Sequence, residues 1–559
     1  MKGSENVVIY PESFSVKPNI EATVGFRNLF NTTSQTAINK NLTLLKGNYV
    51  FCSKNADVRK MHISNTISAE EYTKGSEKNI HKTAIVIENI KNMDIDCGDS
   101  NFIMDGKMTH IYIKNCENLK IKNLNIETVL PNVHKLTIKK ASPFYITFEI
   151  DSQSKFIEEK GDFYWIGTDY KLGFTDHKNT ASWTPTFKPE NPFHIKRHGS
   201  HPFFGIANLK QISHRVFNAR FIVPKDFEEG QVFYIYPAVK EEAGIFIEGS
   251  KNIELKNIKQ TFNYSHALVA QDSENITLDG LDFSPNKNAE ADFCSLADFL
   301  HFSMCRGKIR VINSNFDGAG GDACNIHNIC FKITESNSDK MTVKFPHPQS
   351  YGFSCLRDGD IVAFIDPKTL LEVGRTKLLH ATLRDDYYYD LVLTTYDPPI
   401  KEGGYLICVP ANADFEFSSN TVNRVVNRGV VCATSGKIRI ENNRFLNTGE
   451  NGVVFSGDVT ESFEYSGVQN ASLNGNAFMN CEGSAILIKP ESRRYAGVVH
   501  KNILIENNLF VLNNIHALDA VSANNIIMRS NVYKGRALNG KWIVCKNTEN
   551  IVADYPTAK

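Results

Sequence analysis

A short apolar pattern recurs along this sequence and limits what the chain can fold into. An aliphatic residue is followed by a second one two positions later and by a large apolar or aromatic residue seven positions after the first. Segments with this pattern begin at Leu119, Ile276, Ile309, Ile438, Ala471, Ile503 and Ile526, and one that lacks only the last residue begins at Ile253. Each segment predicts a short strand, an Asn or Gly corner and the start of a second strand.

The spacing between these segments predicts a parallel β-helix. The steps from Ile253 to Ile276 and from Ile503 to Ile526 are 23 residues long, about the length of one turn of such a solenoid. Three other steps are 32 or 33 residues long, as expected where a loop of about ten residues leaves a turn. The sequence therefore predicts an all-β protein whose main domain is a right-handed parallel β-helix.

Two steps are several times longer than one turn and predict insertions into this solenoid. One runs from Leu119 to Ile253 and the other from Ile309 to Ile438. Both inserted segments alternate strands with turns rich in Pro and Gly, so each is predicted to be an antiparallel, β-barrel-like module. The predicted boundaries are 1–127 for the first part of the β-helix, 128–243 and 332–415 for the inserts, 244–331 for the central turns and 416–559 for the last turns.

Asn is frequent at the predicted corners, and a solenoid gives a physical reason for it. Stacked turns place Asn above Asn, so that each side chain can bond the backbone of the next turn. Asn also tolerates the left-handed backbone conformation that corners require. We therefore expect ladders of Asn along the β-helix.

Composition excludes several classes of partner. Acidic and basic residues balance at 62 each, so the chain has no overall charge with which to hold a nucleic acid or an anionic membrane surface. No apolar run reaches the roughly 20 residues of a membrane-spanning helix. The start of the chain, MKGSENVVIYPESF, has no apolar signal-peptide core. The chain is therefore either cytoplasmic or a mature form whose leader has been removed.

The twelve Cys are scattered without a CxxC pair, which argues against a zinc ribbon. We expect those near predicted strands to behave as small buried hydrophobes.

The densest cluster of polar residues lies between positions 297 and 328. Asp298 and Asp322 are separated by almost one turn in sequence, so they are expected on neighbouring turns about 4.8 Å apart. Two carboxylates that close resist joint ionisation, so one pKa should rise. His301 and His327 flank the pair in sequence, and the cluster is a candidate catalytic site.

Other interpretations of the same residues remain open. Asp, Asn and Gly are common at solenoid corners, and a single Asp there is usually a turn residue. Arg306 can equally be the partner of a salt bridge at a corner. His301 and His327 with Asp322 could ligate a metal, but no HxH or HExxH spacing supports this. We therefore expect no metal and no cofactor.

The segment ADFLHFSMCRGKIRVINSNFDGAGGDACNIHN, residues 297–328, resembles the signature of glycoside hydrolase family 110. The similarity extends to HISNT at 62–66, DGKMTHIYIKNCENLKIKNLNIE at 105–127, QDSENITLDG at 271–280 and HKNILIENNLF at 500–510. It implies a right-handed parallel β-helix with β-barrel inserts. It also implies metal-independent, inverting hydrolysis that removes terminal α-1,3-linked galactose, and hence a galactose-containing glycan as substrate.

The chain departs from the family pattern at two places. A tandem Asp-Asp of the family reads Gly321-Asp322 here, so one expected carboxylate is missing. If that carboxylate meets a sugar hydroxyl, its loss should alter selectivity among α-galactosides. Near SFEYSGVQN the Glu-Ser-Gly of the family is shifted or replaced, which leaves Glu464 or Tyr465 at that point.

An inverting glycosidase needs an acid and a base about 6.5 to 9.5 Å apart, with room for a water molecule. Adjacent turns place Asp298 and Asp322 closer than that if their side chains run parallel. The two side chains must either diverge or act together with a third group, for which Glu464 is the candidate. The predicted catalytic residues are therefore Asp298, Asp322 and Glu464.

Other polar side chains near the cluster are predicted to bind the sugar. This predicted substrate-binding set consists of Gln271, His301, Arg306, Asn325 and His327. The aromatic residues of the inserts are predicted to wall the pocket and to stack on the pyranose ring.

Two rival functions remain open at this stage. A polysaccharide lyase could use the same solenoid, but it needs a cation or a basic cluster to neutralise a uronate. A non-catalytic carbohydrate-binding β-helix is the other alternative, and it is favoured if Gly321 marks a decayed site. We expect a periplasmic or secreted glycosidase, with a cytoplasmic location still open, and a homodimer.

Overall fold

The computed structural model describes residues 6–33, 38–66, 79–159, 161–176, 180–188, 191–197, 202–286, 292–394 and 397–554. Strands dominate this part of the chain. The α-helix Thr23–Thr32 covers the N-terminal end of the solenoid with Phe26, Leu29 and Phe30 buried. By covering that end, the helix protects an otherwise open stack of apolar turns. Short 3-10 turns lie at Pro11–Phe14, Ser53–Asn55, Val409–Ala411 and Leu538–Gly540.

Two parallel sheets wind together into the predicted β-helix. The strands of the larger sheet are Asn6–Ile9, Asn39–Thr43, Asn48–Cys52, Lys91–Asp105, Glu117–Thr128, Lys251–Gln260, Glu274–Asp279, Asp282–Phe283, Arg306–Ile312, Asn315–Ala319, Asp414–Ser418, Thr421–Val425, Lys437–Glu441, Arg444–Thr448, Asn470–Asn474, Ala477–Met479, His500–Glu506, Leu509–Ile515, Ala523–Arg529, Val532–Ala537 and Glu549–Ala553. The strands of the smaller sheet are Asp57–Lys60, Ile80–Glu88, Thr109–Lys114, Ile245–Glu248, Leu268–Gln271, Leu300–Ser303, Cys324–His327, Val430–Ala433, Val453–Gly457, Ile486–Pro490, Leu518–Val521 and Ile543–Lys546. Within the smaller sheet, Asp57–Lys60 pairs antiparallel with Ile80–Glu88.

One turn of the solenoid contributes two strands to the larger sheet and one to the smaller. The central turn shows this order: Leu300–Ser303 belongs to the smaller sheet, and Arg306–Ile312 and Asn315–Ala319 belong to the larger one. The next turn starts with Cys324–His327, which pairs in parallel with Leu300–Ser303.

The apolar pattern of the sequence coincides with the strand register. Partners in successive turns are Leu119, Ile253, Ile276, Ile309, Phe415, Ile438, Ala471, Ile503 and Ile526. The predicted β-helix is therefore confirmed. The member that the pattern missed is Phe415, since an aromatic residue takes the place of the first aliphatic one. The turn that contains Asp414–Ser418 already belongs to the solenoid, slightly before the predicted start at 416.

The inward residues stack from turn to turn and form a continuous core. In the last turns the rings of Phe445, Phe478, Phe510 and Tyr533 stack with centroids 5.1, 5.3 and 5.4 Å apart. Parallel strands place equivalent side chains directly above one another, so a favourable stacking contact recurs at each step.

A buried ladder of Asn runs beside this core. It consists of Asn420, Asn443, Asn476, Asn508 and Asn531, one from each successive turn. Each side-chain oxygen accepts a hydrogen bond from the backbone N–H of the Asn before it, and each side-chain amide donates to a backbone carbonyl. The ladder thus pairs backbone groups that a corner would otherwise leave buried and unpaired.

A second, exposed ladder lies at another corner. Asn252 donates to Asn118 at 2.7 Å and Asn275 donates to Asn252 at 3.0 Å. These three residues have positive φ angles. The expectation of Asn ladders is confirmed, and the left-handed conformation belongs to the exposed one.

The two inserted modules differ in their architecture. Between His134 and Pro237 a seven-stranded antiparallel sheet is formed by His134–Ser142, Tyr145–Ile150, Thr180–Lys188, Asn191–Arg197, Ile206–Ser213, Val216–Phe221 and Val232–Pro237. A three-stranded sheet, Phe156–Glu159, Asp162–Ile166 and Lys171–Gly173, accompanies it. The second module is a closed six-stranded barrel of Phe331–Asn337, Lys340–Lys344, Ile361–Ile365, Glu372–Leu383, Tyr388–Leu393 and Tyr405–Cys408.

All twelve Cys are free thiols, ten of them buried, with Cys52 partly buried and Cys545 exposed. In the part of the chain that the structure describes, no helix has the length and apolarity needed to cross a membrane.

Replacement of a buried ladder Asn should destabilise the fold. Asn476→Ala leaves the backbone N–H of Asn443 and the carbonyl of Ile440 without their partners. The free energy of unfolding, measured by urea titration, should fall by about 1 to 3 kcal/mol. Asn513→Ala is the matched control, because Asn513 is exposed on the same solenoid. Equal losses in the two variants would show that the ladder contributes little to stability.

Candidate active site

The strand register stacks four titratable side chains in one row. His266, Asp298, Asp322 and Arg428 each lie two residues before a partnered position of the smaller sheet. Backbone hydrogen bonds confirm the stacking, because the N–H of residue 267 donates to Asp298, that of residue 299 to Asp322 and that of residue 323 to Arg428. Asp298 and Asp322 therefore do lie on neighbouring turns, as their spacing in the sequence predicts.

Asp322 is held by the cation that follows it in this row. Its carboxylate accepts hydrogen bonds from Nε and Nη2 of Arg428 at 3.0 and 2.7 Å and from the Arg428 backbone N–H at 2.8 Å. Burial raises the pKa of the Asp322 carboxyl to about 6, Arg428 opposes this rise, and the charge of Asp298 adds to it. The pair with Arg428 is thus ionised at neutral pH, and Asp322 takes up a proton in mildly acidic solution.

Asp298 has imidazoles as neighbours instead of a guanidinium. Its Oδ1 accepts a hydrogen bond from the backbone N–H of Asp322 at 2.8 Å, and its Oδ2 lies 3.3 Å from Nδ1 of His301 and 3.6 Å from Nε2 of His266. Burial alone would raise the pKa of Asp298, but the hydrogen bonds and charges of His266 and His301 hold it well below its usual range. The pKa values of the two carboxyls are therefore split, as their spacing predicts.

Glu464 reaches the site from a loop that leaves a later turn. The turn from Val453 to Ile486 contains more residues than the turn from Val430 to Val453, although both are closed by the same parallel pairing. The carboxylate of Asp458 organises the loop by accepting hydrogen bonds from the backbone N–H groups of residues 460, 461 and 462. An isolated antiparallel bridge between Ile329 and Glu464 then fixes the loop against the turn that contains Asp322.

The Glu464 carboxylate is buried against polar partners of the central turns. Its Oε2 accepts a hydrogen bond from Nδ2 of Asn325 at 3.0 Å, and its Oε1 lies 3.5 Å from Nε2 of His327. Burial alone would raise the pKa of Glu464, but His327, His301 and the Asn325 hydrogen bond lower it below its usual value. Glu464 is therefore an ionised carboxylate at neutral pH.

Two imidazoles connect the carboxylates. Nε2 of His301 and Nε2 of His327 are 3.0 Å apart, and both side chains are buried. Contacts therefore run without interruption from Asp298 through both rings to Glu464. Among the described residues, the groups His266–Asp298–His301 and His301–His327–Glu464 have ligand atoms within 4.8 Å of one another and could accommodate a metal ion.

These groups surround a cavity of about 400 Å³, a size typical of a small-ligand site. The described residues that line it are Asn65, Ala238, Val239, Lys240, His266, Ala297, Asp298, Gly321, Asp322, Asn325, His347, Gln349, Asn427, Arg428, Ser456, Ser462 and Glu464. The segments that follow the first module and enter the second one contribute to the wall. None of these lining residues is Phe, Tyr or Trp, so the predicted aromatic wall is not found among them.

The structure places the predicted site residues in three groups. Asp298, Asp322, Asn325 and Glu464 line the cavity. His301 and His327 lie behind them and contact their carboxylates. Gln271 and Arg306, the remaining two, are not among the described lining residues.

Gln271 and Arg306 have structural partners that explain their position. The Gln271 amide bonds the hydroxyl of Ser64 and the backbone carbonyl of His62, and so holds the loop that carries Asn65. Arg306 forms a buried bidentate pair with Asp360 of the barrel module, with both distances 2.8 Å. Each residue is therefore corrected from a sugar ligand to a support of the cavity wall.

The sequence analysis did not identify His266, Arg428, Asn65 or Lys240. The step from His266 to Asp298 is as long as the repeat step from Ala471 to Ile503, so the same spacing could have found His266. Arg428 is separated from Asp322 by far more than one turn of sequence, because the barrel module is inserted between the two stacked positions. That offset cannot be read without the length of the module.

Gly321 does not mark a lost carboxylate. A Cβ at this position would lie 2.2 Å from Oδ1 of Asp298 and 2.8 Å from its backbone nitrogen. Both distances are far below a van der Waals contact, and the backbone atom cannot move away cheaply. The structure therefore corrects the expectation of an altered sugar contact, since Gly321 is needed for the position of Asp298.

The fold and this site define a parallel β-helix protein with a buried, carboxylate-lined cavity. Two relatives match most of the chain. The Bacteroides thetaiotaomicron protein named alpha-1,3-galactosidase A is 28% identical over 431 residues, which is 76% of this chain and 73% of that protein. The Phocaeicola vulgatus protein named alpha-1,3-galactosidase B is 27% identical over 535 residues, which is 90% of this chain and 85% of that protein.

A family description and solved structures give further similarities. The GLAA-B beta-barrel domain II matches residues 340–403, which lie within the barrel module. A family 28 exopolygalacturonase from Yersinia enterocolitica has a TM-score of 0.41 and 9% identity, covering 98% of this chain and 78% of its own. A mannuronan C-5 epimerase A-module from Azotobacter vinelandii has a TM-score of 0.38 and 8% identity, covering 99% and 100%. These scores are low, so function is argued from the site and the sequence relatives.

Adding even one carbon at Gly321 should impair the site. In Gly321→Ala, the new Cβ must displace the carboxylate or backbone of Asp298. A displacement of about 1 Å can lower turnover about 10²-fold, and hydrolysis of an α-1,3-galactoside is the assay. Gly321→Asp should be at least as impaired, although it restores the tandem Asp. Full activity of Gly321→Asp would contradict this interpretation of the glycine.

Proposed function

We propose that this chain is an exo-acting α-1,3-galactosidase of glycoside hydrolase family 110. It removes terminal α-1,3-linked galactose from a galactose-containing glycan by metal-independent inversion. The observation that carries the proposal is a set of three buried carboxyls on one cavity, arranged as the stacked pair Asp298–Asp322 and the separate Glu464. The two relatives named above support the choice of sugar and linkage, since they match 76% and 90% of the chain.

The arrangement of the carboxyls supports inversion. Adjacent turns are about 4.8 Å apart, which is less than the roughly 6.5 to 9.5 Å that an acid and a water-activating base need. Asp298 and Asp322 therefore supply one of the two functions together. Two imidazole rings separate Asp298 from Glu464, which provides the larger separation for the second function.

The protonation states support a division of roles. Asp322, with its pKa raised to about 6, is the carboxyl that can hold a proton near neutrality and protonate the leaving oxygen. Glu464, with its pKa lowered, is ionised and can accept a proton from water. The C1–O bond breaks as water attacks from the opposite face, and the galactose leaves with inverted configuration. Asp298 keeps the pKa of Asp322 high through its own charge.

The cavity supports recognition of a chain end. Polar groups from separate parts of the chain converge on it: Asn65 from the N-terminal loop, Lys240 after the first module, and His347 and Gln349 from the barrel module. Such groups suit the hydroxyls of a single sugar, which need several donors and acceptors in fixed positions. A cavity of about 400 Å³ is consistent with one terminal residue.

The direct test is to follow hydrolysis of an α-1,3-linked galactosyl oligosaccharide by proton NMR. We expect β-galactose as the first product, because inversion at an α-linkage gives the β-anomer. Turnover should survive prolonged treatment with EDTA. Initial release of α-galactose would exclude inversion, and an ultraviolet-absorbing unsaturated product would indicate a lyase. Binding of the oligosaccharide without turnover would indicate a carbohydrate-binding protein.

Removal of each titrating carboxyl should abolish most of the activity. Asp298→Asn, Asp322→Asn and Glu464→Gln preserve side-chain volume, and turnover should fall by about 10² to 10⁴ in each variant. Circular dichroism and melting temperature would show that the variants are folded. Asp279→Asn is the matched control, because Asp279 lies on the same solenoid outside the cavity lining. If folded Asp322→Asn keeps activity within a few-fold of the parent, the assignment of the acid is wrong.

A further inference from the structure

The contact between His301 and His327 cannot be made by two neutral imidazoles. Nδ1 of His327 lies 3.3 Å from the backbone carbonyl oxygen of Asn328, which can only accept a hydrogen bond. Nδ1 of a neutral His327 therefore carries the hydrogen, and its Nε2 is a bare acceptor. Nδ1 of His301 likewise faces the carboxylate of Asp298 at 3.3 Å, which leaves Nε2 of His301 bare as well. Two lone pairs then face each other at 3.0 Å.

A nearby amide does not remove this conflict. Nδ2 of Asn65 lies 3.4 Å from Nε2 of His301 and can donate to it. This contact is longer than the one between the rings, and it provides no hydrogen to Nε2 of His327. The lone pair of His327 therefore still faces an acceptor.

One positive species between the two nitrogens removes this conflict. A proton fits the geometry, because about 3.0 Å is an ordinary donor–acceptor distance for a hydrogen bond from nitrogen. A tetrahedral zinc ion holds nitrogen ligands about 2.0 to 2.1 Å away, which places two such nitrogens about 3.3 to 3.4 Å apart. The observed separation therefore favours a proton over a metal ion.

The surroundings balance such a charge. Asp298 lies at one end of the imidazole pair and Glu464 at the other. His266 and His347 are the other titratable groups that face the pair. Burial would lower the pKa of an isolated His327 to about 4, and the Glu464 charge opposes this effect. A proton that both rings share and that two carboxylates flank is not an isolated buried charge.

We propose that His301 and His327 share one proton between their Nε2 atoms and that this buried charge keeps Asp298 and Glu464 ionised. Asp322 is then the carboxyl left to hold the catalytic proton. His301 and His327 are positioning residues in this view, because they act through the carboxylates. The shared proton itself depends only on geometry, whereas its consequence for catalysis rests on the proposed hydrolysis.

The first experiment detects the proton and needs no substrate. In protein labelled with ¹⁵N-histidine, one strongly downfield proton resonance should correlate with imidazole nitrogens of the pair. It should disappear in His301→Gln and in His327→Gln and persist in His500→Gln. Nitrogen shifts showing both Nε2 atoms unprotonated would overturn the inference. One equivalent of zinc in the purified protein, with loss of the contact after chelation, would overturn it in favour of a metal site.

The second experiment measures the consequence for the carboxylates. Removal of an opposite charge within about 4 to 6 Å raises a carboxylate pKa by about 1 to 3 units. The acidic limb of the pH profile of kcat/KM should therefore move to higher pH by that amount in His327→Gln. His500→Gln is the control for structural loss, because His500 is equally buried but far along the solenoid. An unshifted limb in an active His327→Gln enzyme would overturn the role of the shared charge.

The two experiments separate this inference from the proposed function. A downfield resonance in a protein that hydrolyses no α-galactoside would retain the shared proton and reject the galactosidase. Hydrolysis with inversion but without the resonance would retain the galactosidase and reject the shared proton.

Discussion

In-register pairing of successive turns is the constraint on which this structure depends. Parallel strands put equivalent residues about 4.8 Å apart, so a residue type that suits one turn is placed directly against its equivalent in the next. For apolar residues and Asn this produces continuous stacks and ladders. For titratable residues it produces a row in which Asp298 and Asp322 would repel each other without His266 and Arg428 at the two ends.

The inserted modules use the same framework for a different purpose. Each leaves the solenoid between two strands that remain paired, as Cys324–His327 and Val430–Ala433 do around the barrel module. The buried pair of Arg306 with Asp360 fixes that module against the turn next to the site. Polar residues close to the catalytic cluster in sequence can therefore be supports. A buried bidentate ion pair is specific in geometry, and it holds the wall from which His347 and Gln349 reach the cavity.

The sequence was sufficient for the solenoid and for the central pair of carboxyls, because both follow from a short period. The step from Asp298 to Asp322 is one turn, and the longer step that carries Glu464 showed where a loop leaves the solenoid. Arg428 was out of reach, because the length of an insert hides its register. Gly321 was misread for another reason, since a family pattern shows which residue is absent but not whether a side chain would fit.

The charge balance of the cavity bears on the kind of sugar that it can receive. Burying three carboxylates is costly unless each has its own partners, and here Asp322 has Arg428, Asp298 has two imidazoles and Glu464 has Asn325 and His327. The guanidinium of Arg428 is thus occupied by Asp322 and is not available to neutralise a uronate. A sugar carrying its own carboxylate would meet uncompensated negative charge, whereas a neutral hexose offers hydroxyls that can bond to these groups. The site therefore fits the chemistry of galactose better than that of an acidic polysaccharide.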